Sequence, residues 1–132
     1  MIDIDNFKKL NDEFGHLLGD ETLRQVSTIF AQNLRKVDIA CRYGGEEFVI
    51  LAPQTSGDHA LAVAEKLRKV VEDWSFPGVP RPVTITAGVC CFPANGRTRD
   101  ELVKAADDAL YLAKQHGRNR VQLAGSGLAT TA

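Results

Sequence analysis

The sequence predicts an α/β sandwich in which one central, mostly antiparallel sheet is flanked by helices. Three observations lead to this fold class. Short runs alternate apolar and polar residues, as strands do, and longer segments repeat apolar residues every three or four positions, as helices do. The two kinds of segment follow one another in the order β-α-α-β-β-α-β-α-β. Mixed orders of this kind favour a single sheet with helices packed against it.

Composition agrees with one globular domain. The chain has 132 residues, of which 44% are hydrophobic and 25% are charged, and its formal net charge is −1. Such a chain is long enough to bury a core and has no general attraction for nucleic acid. No apolar run reaches the roughly 18 residues of a membrane span, and early acidic residues argue against a signal peptide. We therefore expect a cytoplasmic domain without direct membrane contact.

The amino-terminal third is predicted to contain one strand end and two helices. Alternation at the start of the chain places Asp3 and Asp5 on the same face of a strand. A short helix follows over about residues 7–14 and ends at a glycine. A second helix is predicted to restart with Asp20 as its N-cap and to run to about Arg35.

A β-hairpin is predicted next, with strands over about residues 37–43 and 47–52. The connection carries Gly44, Gly45 and Glu46, and Glu47 follows them. Glycine tolerates positive φ and allows other atoms to approach the backbone closely. Two acidic residues after two glycines therefore indicate a ligand-facing tip, although an ordinary turn explains the same residues.

The second half is predicted to hold two more helices and two more strands. A third helix ends near Trp74, and the proline-rich segment 76–82 is a loop. A strand over about residues 83–90 and a helix with a capping box at Thr98 come next. Val121 to Leu123 suggest a closing strand, and residues 124–132 are predicted to be a disordered tail.

Three cysteines lie in apolar, strand-like runs. Cys41, Cys90 and Cys91 are odd in number and contain no Cys-x-x-Cys spacing. Buried, reduced thiols are therefore expected, and a zinc site is not. The three histidines show no ligand spacing either, and we expect them at the surface.

Acidic residues at strand ends are the first candidates for chemistry. If the first strand pairs beside the hairpin, Asp3 and Glu46 converge. Two carboxylates and a backbone carbonyl suit Mg²⁺, which takes oxygen ligands and keeps substrate phosphates in its shell. Acids that are simply solvated at strand ends would give the same pattern.

Basic and amide side chains form the second set of candidates. Lys114 and Arg118 are spaced i, i+4 at the end of the last helix, where cations also suit the helix dipole. Lys8 is a third cation for the same site. Asn11 and Asp20 are suited either to hydrogen-bond a base edge or to cap helices.

These residues together resemble a known family. The resemblance rests on the following segments of the sequence: Asp3-Ile4-Asp5-Asn6-Phe7-Lys8-Lys9-Leu10-Asn11-Asp12, Phe14-Gly15-His16, Gly19-Asp20, Cys41-Arg42-Tyr43-Gly44-Gly45-Glu46-Glu47-Phe48 and Lys114-x-x-Gly117-Arg118-Asn119. Their order and spacing, from residue 2 to about residue 123, resemble the GGDEF domain of diguanylate cyclases. That family has a fold similar to the palm of polymerases and nucleotide cyclases.

The resemblance implies condensation of two GTP into cyclic di-GMP with release of two pyrophosphates. By position, Asp3, Glu46 and the Ile4 carbonyl resemble the ligands of Mg²⁺ or Mn²⁺. Glu46 stands where Asp is commoner, and Glu47 resembles the second essential acid. Gly44 and Gly45 resemble the glycines that give the nucleotide close access.

Substrate contacts are implied in the same way. Asn11 and Asp20 resemble the residues that read guanine. Lys8, Lys114 and Arg118 resemble the residues whose side chains hold the phosphates. The backbone amides around Asn6 and Phe7 would add further donors. Because one domain holds one GTP, the resemblance also implies a second copy facing the first across a two-fold axis.

Product binding and other partners are implied as well. Arg35-x-x-Asp38 matches the family's product-inhibition motif, and Lys66 stands where the family often supplies a further arginine. We expect weaker feedback, because lysine lacks the planar fork of arginine. An upstream sensory or receiver domain is expected in the parent protein. A non-catalytic module that binds GTP or cyclic di-GMP is the alternative.

One departure from the family pattern concerns the start of the chain. The family domain usually begins with a helix and an Asp-x-Leu-Thr-Gly-Leu-x-Asn segment before the first strand. Neither precedes Met1 in this sequence. The expectation is a truncated domain over residues 1–123, with exposed core surface beside the first strand and low or no activity.

Overall fold

The computed structural model describes residues 1–125 and the backbone of residues 129–130. Of the tail predicted over 124–132, residues 126–128 and 131–132 lie outside the described residues. The tail prediction is wrong for Ala129–Thr130, because their backbone pairs antiparallel with the closing strand.

Six strands form one sheet in the order β2-β3-β1-β4-β5-β6. Neighbouring strands are antiparallel except β4 and β5, which are parallel. The predicted fold class is therefore confirmed. The strands are β1 Ile2–Ile4, β2 Ile39–Arg42, β3 Glu47–Leu51, β4 Ile85–Val89, β5 Val121–Leu123 and β6 Ala129–Thr130.

Helices cover both faces of the sheet. Residues of α2 and α3 share one apolar core with β1, β3, β4 and β5, whereas α4 packs over the opposite face at β4. The capping box predicted at Thr98 is present at the start of α4. The helices are α1 Phe7–Phe14, α2 His16–Asn33, α3 Gly57–Asp73 and α4 Arg99–Gln115.

The start of α2 differs from the prediction. Gly15, with φ of 91°, is at once the last cap of α1 and the first cap of α2. Its N–H donates to the Asn11 carbonyl at 2.8 Å, and its own carbonyl accepts from the Gly19 N–H at 3.1 Å. Asp20 therefore lies inside α2 and does not cap it. The helix ends at Asn33, two residues before the predicted end.

The core on the α2 and α3 side is continuous and apolar. The Phe30 side chain is fully buried and meets the Phe48 ring edge-on, with the ring centroids 5.3 Å apart. At the end of α3, the Trp74 ring packs against this core, and its Nε1 donates to Gln25 Oε1 at 3.0 Å. Trp74 therefore packs at the end of α3, near where the sequence predicted that this helix ends.

Gly88 fixes the distance between β4 and α4. A Cβ placed on this glycine would lie 2.5 Å from the Leu110 backbone nitrogen and would overlap the Ala106 carbonyl oxygen. Glycine is thus required because the helix backbone lies directly on the strand.

The cysteine prediction is wrong in one respect. Cys41 is exposed, and Cys90 and Cys91 are only partly buried, although all three are free thiols. Cys41 lies on β2, where every residue is exposed because this strand forms one edge of the sheet. The histidines are at the surface, as predicted. No helix within the described part of the chain is long and apolar enough to cross a membrane.

The position of β1 determines the geometry of the candidate site. This strand lies in the middle of the sheet, between β3 and β4. Asp3 is opposite Glu47 on one side and opposite Thr86 on the other. The first strand therefore pairs beside the hairpin, which was the condition for Asp3 to lie near Glu46.

Candidate active site

A cleft of about 180 Å³ lies where β1 ends and α1 begins. Every residue that lines it, except Asp5, was a candidate site residue in the sequence. The fold therefore brings together segments that are more than a hundred residues apart. The lining residues are Asp3, Ile4, Asp5, Asn6, Phe7, Lys8, Glu46, Lys114 and Arg118.

The turn between β1 and α1 exposes backbone donors to the cleft. Asn6 adopts left-handed backbone angles, with φ of 55°, and its side chain makes no capping hydrogen bond. The first N–H groups of a helix have no partners within the helix. Phe7 is buried and anchors the helix, while Lys8 is exposed beside it. The start of α1 can accordingly receive an anion.

Asp3 is a buried carboxylate of which only one oxygen accepts a hydrogen bond within the described residues. The residue is 7% exposed, and its Oδ2 accepts from the Lys114 ammonium group. Its Oδ1 is buried and has no hydrogen-bond partner among the residues that the structure describes. An unpaired buried carboxylate oxygen is costly. Its presence in this cleft indicates that a cation or another donor completes the site.

Glu46 faces Asp3 from the hairpin. Its backbone carbonyl accepts from the Ile4 N–H at 3.1 Å, which ties the hairpin to β1. Partial burial raises the pKa of the Glu46 carboxyl, and the charges of Asp3 and Glu47 raise it further, whereas Lys114 opposes them. The carboxylates of Asp3, Glu46 and Glu47 therefore lie close enough to repel one another, and a bound cation would relieve this repulsion.

The donor set fits a magnesium ion that is shared with phosphates. Within residues 1–125, no three His, Cys, Asp or Glu side chains form a complete metal cluster. Asp3, Glu46 and Ile4 nevertheless line the same cleft, where two carboxylates and a backbone carbonyl can supply oxygen atoms. Mg²⁺ is usually held by one or two carboxylates together with substrate phosphates. The unpaired Asp3 Oδ1 supports this fit.

The glycine-containing connection works by leaving space and not by a special backbone conformation. Neither Gly44 nor Gly45 has a positive φ, although the sequence suggested that use. A Cβ on Gly45 would meet nothing within 4 Å, so the tip is open. Glu47 begins β3, and its carbonyl accepts from the Tyr43 N–H at 2.8 Å; its side chain lies against Gly44 and does not line the cleft.

Arg42 was not among the sequence candidates, yet it holds this connection in place. Its Nη2 donates to the Gly45 carbonyl at 2.7 Å, and its Nε donates to the Gly44 carbonyl at 3.2 Å. The signal for this role was its place immediately before the turn, since an arginine fork reaches carbonyls two and three residues ahead.

Asp5 also has a structural role that the sequence left open. Its two oxygens accept from the hydroxyls of Thr84, at 2.8 Å, and Thr86, at 2.6 Å. Oδ2 accepts in addition from the Asn119 N–H at 3.0 Å. Asp5 thus joins β1, β4 and the segment after α4.

The two cations that the C-terminal part of the chain contributes to the cleft, Lys114 and Arg118, belong to different structural elements. Lys114 lies in the last turn of α4, as predicted. Arg118 lies beyond the helix, with φ of 61°, so the predicted i, i+4 helical pair is wrong. The cause is Gly117, whose φ of 118° turns the chain out of the helix. Both side chains still line the same cleft.

Asn11 and Asp20 lie outside this cleft, on α1 and α2. Asn11 Oδ1 is buried and finds no hydrogen-bond partner within the described part of the chain, and Asp20 is exposed. A Cβ on Gly19 would overlap Asn11 Oδ1 and would lie 3.3 Å from the Phe7 ring. Gly19 therefore permits the present position of the Asn11 amide.

Arg35 and Asp38 form a closed pair near the start of β2. The Arg35 guanidinium donates to Asp38 at 2.8 Å, and its Nη2 also donates to Thr55 Oγ1 and to the Pro53 carbonyl. This hydrogen bonding lowers the pKa of Asp38. Lys66 is exposed on α3 and makes no ion pair with them within the described residues.

Sequence comparison identifies relatives over almost the whole chain. The family model described as diguanylate cyclase, GGDEF domain, matches residues 1–120. Diguanylate cyclase A of Treponema denticola is 45% identical over 130 residues, which are 97% of this chain and 35% of that protein. The response regulator PleD of Caulobacter vibrioides is 46% identical over 125 residues, covering 92% of this chain and 28% of PleD. This chain spans well under half of either relative.

Solved structures are similar to this chain in both fold and sequence. The active GGEEF domain of a diguanylate cyclase from Vibrio cholerae has a TM-score of 0.88 and 35% identity, over 93% of this chain and 79% of that one. The GGDEF domain of DgcB from Caulobacter crescentus, in complex with c-di-GMP, has a TM-score of 0.85 and 31% identity. That match covers 95% of this chain and 73% of the DgcB chain.

Proposed function

Since this chain belongs to the GGDEF domain family of diguanylate cyclases, we propose that it condenses two GTP into cyclic di-GMP and releases two pyrophosphates. The observation that carries the proposal is the cleft itself. Asp3 and Glu46 line it, and one buried oxygen of Asp3 has no hydrogen-bond partner among the described residues. Lys8, Lys114 and Arg118 supply positive charge. This arrangement suits a triphosphate with its metal ion.

Asp3, Glu46 and the Ile4 carbonyl would hold the metal, which we assign as Mg²⁺ with Mn²⁺ as a substitute. The bound ion would supply neutralisation of phosphate charge. The carboxylates set its position, and Lys114 orients the Asp3 carboxylate through their ion pair. Glu47, opposite Asp3 in the sheet, is assigned as the second acid of the site.

The phosphates are assigned to Lys8, Lys114 and Arg118 together with the backbone N–H groups at Asn6 and Phe7. Charge-assisted contacts of this kind are stronger than neutral hydrogen bonds. They favour departure of pyrophosphate, because negative charge on the leaving group is already neutralised. The open space beside Gly45 would admit the nucleotide close to the backbone of Gly44 and Gly45.

Guanine is assigned to Asn11 and Asp20. The Asp20 carboxylate is suited to accept from the N1–H and N2–H₂ groups of guanine, an edge that adenine lacks. The buried, unpaired Asn11 Oδ1 supports a base-facing role for the amide. GTP, and not ATP, would then be the preferred nucleotide.

The reaction needs two copies of the chain. One cleft holds one GTP, so the 3′-hydroxyl of each nucleotide must attack the α-phosphate held by the other copy. A two-fold arrangement makes both attacks equivalent. Positioning of the two nucleotides supplies much of the rate. In the parent protein, an upstream sensory or receiver domain would control this encounter, and the GTP pool would place the domain in the cytoplasm.

Product feedback is assigned to Arg35, Asp38 and Lys66. Arginine suits the phosphates and guanine rings of cyclic di-GMP. In this chain the Arg35 fork is already engaged by Asp38, Pro53 and Thr55. Product binding would therefore have to compete with those hydrogen bonds, and Lys66 would add only a point charge. Weak inhibition by product is the expected behaviour.

The proposal is tested by incubating the parent protein with GTP and Mg²⁺ and measuring cyclic di-GMP and pyrophosphate by chromatography. We expect one cyclic di-GMP for two pyrophosphates, and no product from a Glu46→Gln variant. A folded, dimeric parent that binds GTP without forming product would overturn the cyclase assignment. That result would favour a binding-only signalling module instead.

A further inference from the structure

Asn119 is the centre of a hydrogen-bond network that stands behind the cleft. Its backbone N–H donates to Asp5 Oδ2 and to Thr86 Oγ1, both at 3.0 Å. Its side-chain oxygen accepts from Arg68 Nη1 at 2.7 Å, and its side-chain nitrogen donates to Glu72 Oε2 at 2.6 Å. One residue thus connects β1, β4 and α3.

The network stabilises an unusual backbone segment. Gly117, Arg118 and Asn119 have consecutive φ values of 118°, 61° and 48°. Left-handed angles suit glycine and are tolerated by asparagine, but they are unfavourable for arginine. Strain of this kind persists only where surrounding contacts determine the conformation. The hydrogen bonds of Asn119 fix the backbone directly after Arg118 and so restrain the conformation of Arg118.

Arg68 is the buried end of the network. It is 2% exposed, its Nε donates to Glu65 Oε2 at 3.3 Å, and its Nη1 lies 3.5 Å from Glu72 Oε1. The hydrogen bond from the Asn119 side chain is the main reason why the pKa of Glu72 is lowered. A charged group this deeply buried is expensive unless it is paired. The Arg68 charge and the Asn119 amide are therefore held in one geometry.

We propose that Asn119, clamped by Arg68 and Glu72, is a positioning residue that directs the Arg118 side chain into the cleft toward the β- and γ-phosphates of the nucleotide. This inference rests on the proposed function, because it takes the phosphates as the target of Arg118. It adds that binding of the phosphates by Arg118 depends on contacts between Asn119 and α3, which lie outside the cleft.

A ligand pair separates positioning from general structural support. GTP carries the β- and γ-phosphates, whereas GMP shares only its base, sugar and α-phosphate. If Asn119 acts through Arg118, its loss weakens GTP binding and leaves GMP binding unchanged. If Asn119 merely supports the fold, its loss weakens both ligands alike.

Asn119→Gly is the most direct variant, because glycine keeps the left-handed backbone and removes the side-chain contacts. We expect its affinity for GTP with Mg²⁺ to fall about tenfold, the effect of weakening one charge-assisted contact. Affinity for GMP should stay within about twofold of the wild type, as for a site without coupling. Calorimetry on the full chain measures both.

Two further variants keep the test sharp. Glu72→Ala removes the acceptor of the Asn119 side-chain nitrogen, and Glu72 is a partly exposed residue of α3. This variant replaces Asn119→Gly if the latter fails to fold. It should lower GTP affinity in the same selective way. Thr98→Ala is the matched control, because it removes the α4 capping box far from the cleft and lowers the stability of the fold. It should leave both affinities unchanged.

A double-variant cycle completes the experiment. In an Arg118→Ala background, Asn119→Gly should have no further effect on GTP affinity, because the group that it positions is absent. Additive losses, or equal losses for GTP and GMP, would overturn the inference while leaving the cyclase assignment intact. Failure of the wild type to bind GTP would instead overturn the proposed function, and this inference with it.

Discussion

Burial at the edge of the cleft raises the pKa of the Glu46 carboxyl, and the charges of Asp3 and Glu47 act in the same direction. The folded protein therefore holds this proton more tightly than the unfolded chain does. The resulting stabilisation is fully present below the ordinary pKa of a glutamate and is lost as the pH rises through the raised pKa.

Glu46→Gln should remove that part of the pH dependence. In the absence of Mg²⁺, the free energy of unfolding of the wild type should fall relative to that of the variant as the pH rises through this window. Urea unfolding of both proteins at a series of pH values measures the difference. A difference that stays constant across the window would show that the Glu46 carboxyl is not perturbed by its neighbours.

Asn11 offers a second test at the level of one residue. Gly19→Ala would force the Asn11 amide to move, because the new Cβ would overlap its Oδ1. We expect the preference for GTP over ATP to fall by about tenfold, as expected when one hydrogen bond to a base edge is lost. Competition binding with the two nucleotides measures it.

Ser27→Ala is the control for Gly19→Ala, because Ser27 is exposed on the same helix and bonds only to the Leu23 carbonyl. Its nucleotide preference should equal that of the wild type. An unchanged preference in Gly19→Ala would separate Asn11 from guanine recognition.

At the level of single residues, the sequence predicted eight of the nine residues that line the cleft. It did not predict how Asp5 and Asn119 are used. Asp5 shares a strand face with Asp3, so the alternation pattern cannot tell a ligand-facing carboxylate from a structural one. Asn119 meets Arg68 across 51 residues of sequence, and local patterns carry no information on such contacts.

Among the elements, the packing of α4 on β4 is the contact most dependent on a small residue. Gly88→Ala should push the helix away from the strand, because the new Cβ would meet backbone atoms that cannot rotate aside. We expect a loss of about 1–3 kcal/mol in the free energy of unfolding, the usual cost of overpacking. Urea unfolding gives this quantity.

Gly45→Ala is the matched control for that prediction. Its Cβ would lie in open space, and its φ is not positive, so stability should change by less than about 0.5 kcal/mol. Equal losses in both variants would contradict the close contact between α4 and β4.

The elements themselves were largely predictable from periodicity, and the exceptions have definite causes. The start of α2 was misplaced because Gly15 caps two helices at once, so no polar spacer marks the boundary. Cys41 was expected to be buried because apolar residues surround it in sequence. Periodicity identifies a strand, but it does not reveal that β2 is an edge strand with both faces exposed.

For the whole molecule, the sheet order decides whether the candidate residues meet. Pairing of β1 beside β3 was a condition in the sequence argument, and the structure fulfils it. The strand order itself could not be obtained from local patterns. The resemblance to the family implied a palm-like fold, and the structure supplies the order of the strands in the sheet.

The proposed reaction between two chains yields a prediction for the molecule as a whole. If each chain holds one GTP, the rate of product formation per chain should rise with protein concentration until dimers predominate. Initial rates of the parent protein over a dilution series, beside sedimentation velocity, measure this dependence. A rate per chain that stays constant where the protein is monomeric would contradict the two-chain reaction.

The central claim is that the cleft between β1, the hairpin and α4 binds GTP together with a divalent cation. The most direct measurement is calorimetric titration of this chain with GTP, with Mg²⁺ and with a chelator, for the wild type and Asp3→Asn. We predict one GTP per chain, a strong dependence on Mg²⁺, and loss of that dependence in the variant. GTP binding that is equally tight without Mg²⁺, or unchanged in Asp3→Asn, would contradict the account.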